Sequence, residues 1–227
     1  MQNSRDMSTL YQIICASFCV VVVVSNMISA KMFILPFFQE FNIPAGLVTY
    51  PLTFLLSDLV TEIYGPKKAK LMVYIALGMC LLSFGIIQLA LVLPAKDPAE
   101  QIAFQAILGL SGLRIFSSLT AYIVAQIIDI QLYALIKGWT GDKFLWLRNN
   151  GSTCASQIVD TVIIDMIFLW WGLGMSMQQV LPIMVFSYAY KAFFSVANTP
   201  IFYLCVFLVK NMKQLKNKKE MNYEFNM

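Results

Sequence analysis

Apolar residues fill this chain in long runs, and polar positions fall between the runs or at isolated points inside them. A membrane-crossing helix needs about 20 largely apolar residues, since each adds about 1.5 Å against a hydrocarbon core of about 30 Å. Six runs meet that length: 9–34, 44–64, 69–94, 111–137, 152–174 and 181–209. The stretch Asp97–Leu110 reads differently. Ile102, Ala103, Ala106, Ile107 and Leu110 recur at helical spacing with Gln101 and Gln105 between them, which predicts a short interfacial helix between the third and fourth spans. The expected fold is all-α: one six-helix transmembrane domain over 1–210 and a basic, fraying tail over 211–227. The first run follows Arg5 and contains a cleavage-like triplet, Ile28-Ser29-Ala30. It is longer than a signal-peptide core and five more runs follow, so a retained first helix is expected.

Composition narrows the class. The 227 residues are 59% hydrophobic and 12% charged, where soluble domains carry about 25% charge. A soluble fold of this size could not hide so much apolar surface. The net charge of +4 matters less than its placement. Arg5, Lys67, Lys68, Lys70, Lys137, Lys143, Arg148, Lys210, Lys213, Lys216, Lys218 and Lys219 fall on one side of the predicted topology. On the other, Lys96 is the only basic residue clear of the runs, so twelve basic residues stand against one. The positive-inside rule then predicts cytoplasmic termini. The chain has no histidine, which argues against zinc hydrolases and Ser/His catalysis. Five scattered cysteines with no C-x-x-C pair predict neither a disulfide framework nor a metal site.

Eight ionisable residues lie inside or at the rims of the runs: Lys31, Asp58, Glu62, Arg114, Asp129, Asp160, Asp165 and Lys191. Each charge near a bilayer centre costs about 2.5–3.5 kcal/mol on insertion scales, so the set predicts a polar site within the membrane. Asp58 and Glu62 share a helix face at i, i+4. Ala125-Gln126-Ile-Ile-Asp129 and Ser156-Gln157-Ile-Val-Asp160 repeat one pattern on antiparallel neighbouring spans: a small residue, Gln, two apolar residues and Asp. The small residue lets a neighbour approach, and Gln and Asp point the same way, so the two motifs are expected to face each other. Lys191 lies near mid-depth of the sixth run. Asn198-Thr199-Pro200 follows it, where proline frees a carbonyl and can kink the helix.

Plainer readings stay open for several residues. Lys31 and Arg114 can snorkel to the far interface. Glu62 can pair with Lys67 or Lys68, and Asp165 can make a single shielded hydrogen bond. Trp139, Trp146, Trp170 and Trp171 fit an aromatic interface belt. No phosphate-binding glycine loop occurs, so the chain is not expected to use ATP by itself. Alternatives are a substrate-binding membrane subunit serving a separate ATPase, an importer of another vitamin-like heterocycle, or a lipid-active or proteolytic membrane enzyme, the last using an aspartyl dyad of Asp129 and Asp160. Carboxylates, amides and a lysine at mid-membrane fit a solute path better, and carboxylates can couple transport to protons. No cofactor, metal or nucleic acid is expected. The expected partners are a small-molecule substrate and the lipid bilayer, with a homo-oligomer left open.

Pro51-Leu-Thr-Phe-Leu-Leu-Ser-Asp58-Leu-Val-Thr-Glu62-Ile-Tyr64-Gly65 resembles the signature of the queuosine precursor transporters, a family also known as vitamin uptake transporters. The later segments Gln126 with Asp129, Arg148-Asn149, Ser152-Thr153, Ser156-Gln157, Asp160-Thr161, Lys191 and Pro200 resemble it in the same order. Pro66 departs from the pattern, where a lysine or another polar residue is expected. The resemblance implies six spans in a bacterial inner membrane and import of a 7-deazaguanine, either queuine or its 7-cyano or 7-aminomethyl precursor. On that cargo a carboxylate accepts the paired N–H donors of the guanine-like edge. Asp129 or Asp160 would grip the base, with Gln126, Gln157 and Asn26 beside it. Asp58, Glu62, Lys191 and Arg114 would hold or switch charge pairs, Asp58 with Lys191 among them.

Overall fold

A computed structural model describes residues 2–29, 31–35, 38–109, 112–141 and 143–224. The described chain is helical apart from one short hairpin. Its elements are α1 (Gln2–Ile28), β1 (Met32–Leu35), β2 (Phe38–Pro44), a 3-10 turn (Ala45–Val48), α2 (Tyr50–Tyr64), α3 (Pro66–Val92), α4 (Pro98–Leu108), α5 (Gly112–Thr140), α6 (Leu145–Ile164) with a π-helical extension (Asp165–Gly172), α7 (Met177–Ala197) and α8 (Thr199–Glu224).

Among the described residues, five helical stretches are long and apolar enough to cross a membrane: Ser8–Ile28, Pro66–Val92, Pro98–Thr140, Leu145–Gly172 and Met177–Ala197. The most and least apolar of these stretches are buried in the opposite order. The α3 stretch has the highest mean hydropathy, 2.4, yet only 11% of its most apolar window is buried; Leu145–Gly172 has 1.4 with 39% buried. Water would drive the reverse ordering, so the apolar skin faces lipid.

Four segments depart from expectation. The first apolar run, 9–34, is helix only to Ile28. From Met32 the chain forms an antiparallel hairpin that pairs Met32 with Pro44 and Ile34 with Asn42, a local departure within an all-α architecture. The second run, 44–64, yields a 15-residue helix. At about 1.5 Å per residue α2 falls well short of a bilayer. Nine of its residues are buried, from Thr53 to Glu62, so it is an inner half-helix surrounded by the others. The sixth run, 181–209, is divided at Asn198 between α7 and α8, with Pro200 in the first turn of α8. The tail does not end the helix: α8 continues to Glu224, through residues free of glycine and proline that favour helix. α4 occupies the place expected of the interfacial helix. Its N-cap Asp97 accepts from Ala99 N at 2.9 Å, and none of its residues is buried. Leu110 and Ala30, both named in the sequence analysis, lie outside the described residues.

Two glycines fix the position of α2. Gly65 has φ +84°, a conformation that penalises side chains, and it turns the chain from α2 directly into α3. Pro66 is the first residue of α3, where its missing N–H and fixed φ suit a helix start. At the other end, a Cβ on Gly46 would collide with Ser29 Oγ and Ser25 O, so the 3-10 turn lies flush on α1. The Ser25 and Thr49 hydroxyls touch at the same contact.

Candidate functional site

The polar residues form three stacked layers along α2, α5 and α6. α6 shows why. Its buried residues are Arg148, Asn149, Ser152, Thr153, Ser156, Gln157, Asp160 and Thr161, all polar and recurring in pairs every four residues. An i, i+4 row is one ridge of a helix, and this ridge packs into α5 and the neighbouring helices. In water such a stripe would face out; in lipid it must face in.

The layer farthest from the basic loops is a cavity of about 340 Å³. It is walled by the end of α1, the start of α2, the first half of α5, the α6–π junction and α7. Of the expected site residues, Asn26, Arg114, Gln126, Asp160 and Lys191 line it. Lys191 Nζ donates to Asp160 Oδ2 at 2.7 Å and to Thr161 Oγ1 at 3.1 Å, and lies 4.9 Å from the Tyr50 ring centre. This pair replaces the expected one between Lys191 and Asp58, because Thr161 and Asp160 sit on the α6 ridge opposite Lys191. Asn26 is already engaged: its amide donates to Val22 O and its Oδ1 accepts from Ser118 Oγ, both at 2.9 Å. Arg114 donates to Ser29 O and lies over the Phe168 ring. Gln126 Oε1, Asp160 Oδ1 and Asp165 Oδ2 are buried without a hydrogen-bond partner.

The middle layer holds Asp58 and Asp129, whose carboxyls face each other. Ser156 Oγ donates to Asp129 Oδ1 at 3.2 Å and Thr153 Oγ1 lies 3.5 Å from Asp58 Oδ2. The two repeated motifs thus meet through Ser156 of one and Asp129 of the other. Asp129 itself lies off the large cavity, and Gln157 faces a small void beside Asp58.

The third layer closes the basic end. Glu62 receives Arg148 at 3.0 Å, Lys137 at 3.0 Å and Lys210 at 3.2 Å, and its Oε2 accepts from Tyr133 at 3.1 Å. One carboxylate so ties α2 to α5, α6 and α8. Lys67 and Lys68 do not supply its ion pairs among the described residues. Arg148 is about 1% exposed and also donates to Gly141 O at 2.7 Å and Lys143 O at 3.2 Å. Removing one partner of a buried pair costs about 3–5 kcal/mol. Arg148→Ala is therefore expected to lower the thermal unfolding temperature of the detergent-purified protein, and a melting curve matching wild type would contradict this anchor.

Sequence reasoning gives Arg148, Lys137 and Lys210 only a role in orientation, and misses Tyr50. The four-residue spacing of polar pairs in α6 is a legible signal for Arg148. Nothing local marks Tyr50, which enters the site only because α2 begins inside the bundle.

A lipid-facing bundle that encloses a cavity with convergent polar groups, with a short inner helix beginning at that cavity, has the architecture of a multi-pass small-molecule transporter. Comparison with known proteins gives its family. Residues 44–205 match the family described as "Putative vitamin uptake transporter", and the chain belongs to it. It is a transporter and not an enzyme. The chain is 32% identical over 169 residues to a Bacillus subtilis (strain 168) protein named "Probable queuosine precursor transporter", covering 73% of this chain and 72% of the relative. No solved structure matches it.

Proposed function

We propose that this protein imports queuosine precursors across a bacterial inner membrane, the cargo being queuine or its 7-cyano or 7-aminomethyl precursor. The observation that carries the reading is the set of donorless acceptors in the cavity, Gln126 Oε1, Asp160 Oδ1 and Asp165 Oδ2. A guanine-like edge brings adjacent N–H donors, which such acceptors require. Asp160 takes that edge with Gln126 beside it, while Asn26 and Arg114 brace the wall through α1. The volume falls within the range of about 300–1,000 Å³ usual for small-molecule sites. The name of the Bacillus subtilis relative supports the cargo class.

The positive-inside rule assigns the basic end and both termini to the cytoplasm. The cavity then loads from outside, and the Glu62 cluster closes the inner exit. Transport is secondary, and the facing carboxyls of Asp58 and Asp129 carry the coupling proton, with Gln157 beside them. Complementation tests the reading. A bacterium unable to make queuosine or import its precursors, expressing this chain and fed each compound it can process, is expected to regain queuosine in tRNA. No restoration by any of them, with the protein verified in the membrane, would overturn it.

A further inference from the structure

The cavity contains a second carboxylate that the base edge does not use. Asp165 sits where α6 gives way to π-helical turns, a rare geometry that re-aims side chains. It is 6% exposed, it lines the cavity, and its Oδ2 has no hydrogen-bond partner. Among the described residues no ion pair engages it. The charged groups that act on it are Lys191 and Asp160, which already hold each other at 2.7 Å. Arg114, the other cation of the cavity, is anchored on Ser29 O.

The two carboxylates therefore differ in what they can take. Asp160 is neutralised by Lys191, so its open oxygen suits an uncharged N–H donor. Asp165 has no ion pair among the described residues and an open oxygen, so it suits a cationic donor. Five helical residues advance about 7.5 Å, a separation that a fused bicyclic base with a one-carbon arm can bridge. The 7-aminomethyl compound and queuine both carry an amine on that arm. The 7-cyano compound has neither a donor nor a charge there.

Resting on the reading of Asp160 as the base-edge residue, we propose that Asp165 is a specificity residue that binds the amine on the C7 arm, so that amine-bearing 7-deazaguanines are preferred over the 7-cyano compound. The test is calorimetric binding of 7-aminomethyl- and 7-cyano-7-deazaguanine to the detergent-purified full chain, as wild type, Asp165→Asn and Asp165→Glu. Wild type is expected to favour the aminomethyl compound. Asp165→Asn should cut the affinity ratio by at least about tenfold, the effect of losing one charge-assisted hydrogen bond, and Asp165→Glu should keep most of it. A ratio unchanged in Asp165→Asn, or a wild type that favours the cyano compound, would overturn the proposal. Binding of neither compound, nor of queuine, by wild type would overturn the cargo reading itself and this inference with it.

Discussion

Asp160→Asn is expected to reduce uptake of a 7-deazaguanine by at least about tenfold, since the charge-assisted hydrogen bond that its open oxygen makes to the base edge is worth about 1.5–3 kcal/mol. Asp160 is fully buried, lines the cavity, and has one oxygen on Lys191 and the other open. Asparagine keeps the shape but replaces one acceptor with a donor that meets the donors of the base. Alanine has a further consequence: it leaves the Lys191 ammonium buried without its counter-ion, at a cost of about 3–5 kcal/mol. The double variant Asp160→Ala with Lys191→Met removes both charges, so it should recover membrane abundance without recovering uptake. That separates folding from recognition. Uptake by Asp160→Asn within about threefold of wild type, less than the loss of one such bond, would remove Asp160 from the substrate site.

The second large effect belongs to the middle layer. Asp129→Asn should abolish accumulation of cargo against a gradient while leaving exchange across the membrane intact. Asp129 is fully buried, faces Asp58 and does not line the cavity, so a defect there should act on coupling. In vesicles with an imposed proton gradient, wild type should accumulate labelled cargo above the outside concentration, and the variant should only equilibrate it. Concentrative uptake by Asp129→Asn would show that the Asp58–Asp129 pair does not carry the coupling proton.

Much of this architecture is legible in the sequence, for particular reasons. The apolar runs over α1, α3, α5, α6 and α7 are long, and lipid rewards apolar surface all round, so hydropathy finds them directly. The same property hides helix ends. Residues 29–34 are apolar enough to extend a span, yet the chain leaves the helix after Ile28 and pairs Met32–Leu35 with Phe38–Pro44. The run over 44–64 gives no sign that its helix starts only at Tyr50. Asn198-Thr199-Pro200 does signal a disturbance, and the structure turns it into a break between two helices.

Within the site, isolated charges in apolar runs point to Asp58, Asp129, Asp160 and Lys191, all of which are buried. Which acid meets which base is not legible, because pairing depends on the depth at which helices cross. Spacing leaves Lys191 free to join Asp58 or Asp160, and the register of α7 on α6 selects Asp160. Glu62 shows the same limit: its partners come from α5, α6 and α8, 71 or more residues away in the chain, and not from the adjacent loop.

The central claim is that this cavity carries 7-deazaguanines across the membrane, and uptake into vesicles containing only the purified chain tests it most directly. Labelled queuine or its 7-cyano or 7-aminomethyl precursor should enter wild-type vesicles and be excluded from those carrying Asp160→Asn. Failure of all three to enter, by protein shown to be folded and inserted, would contradict the account.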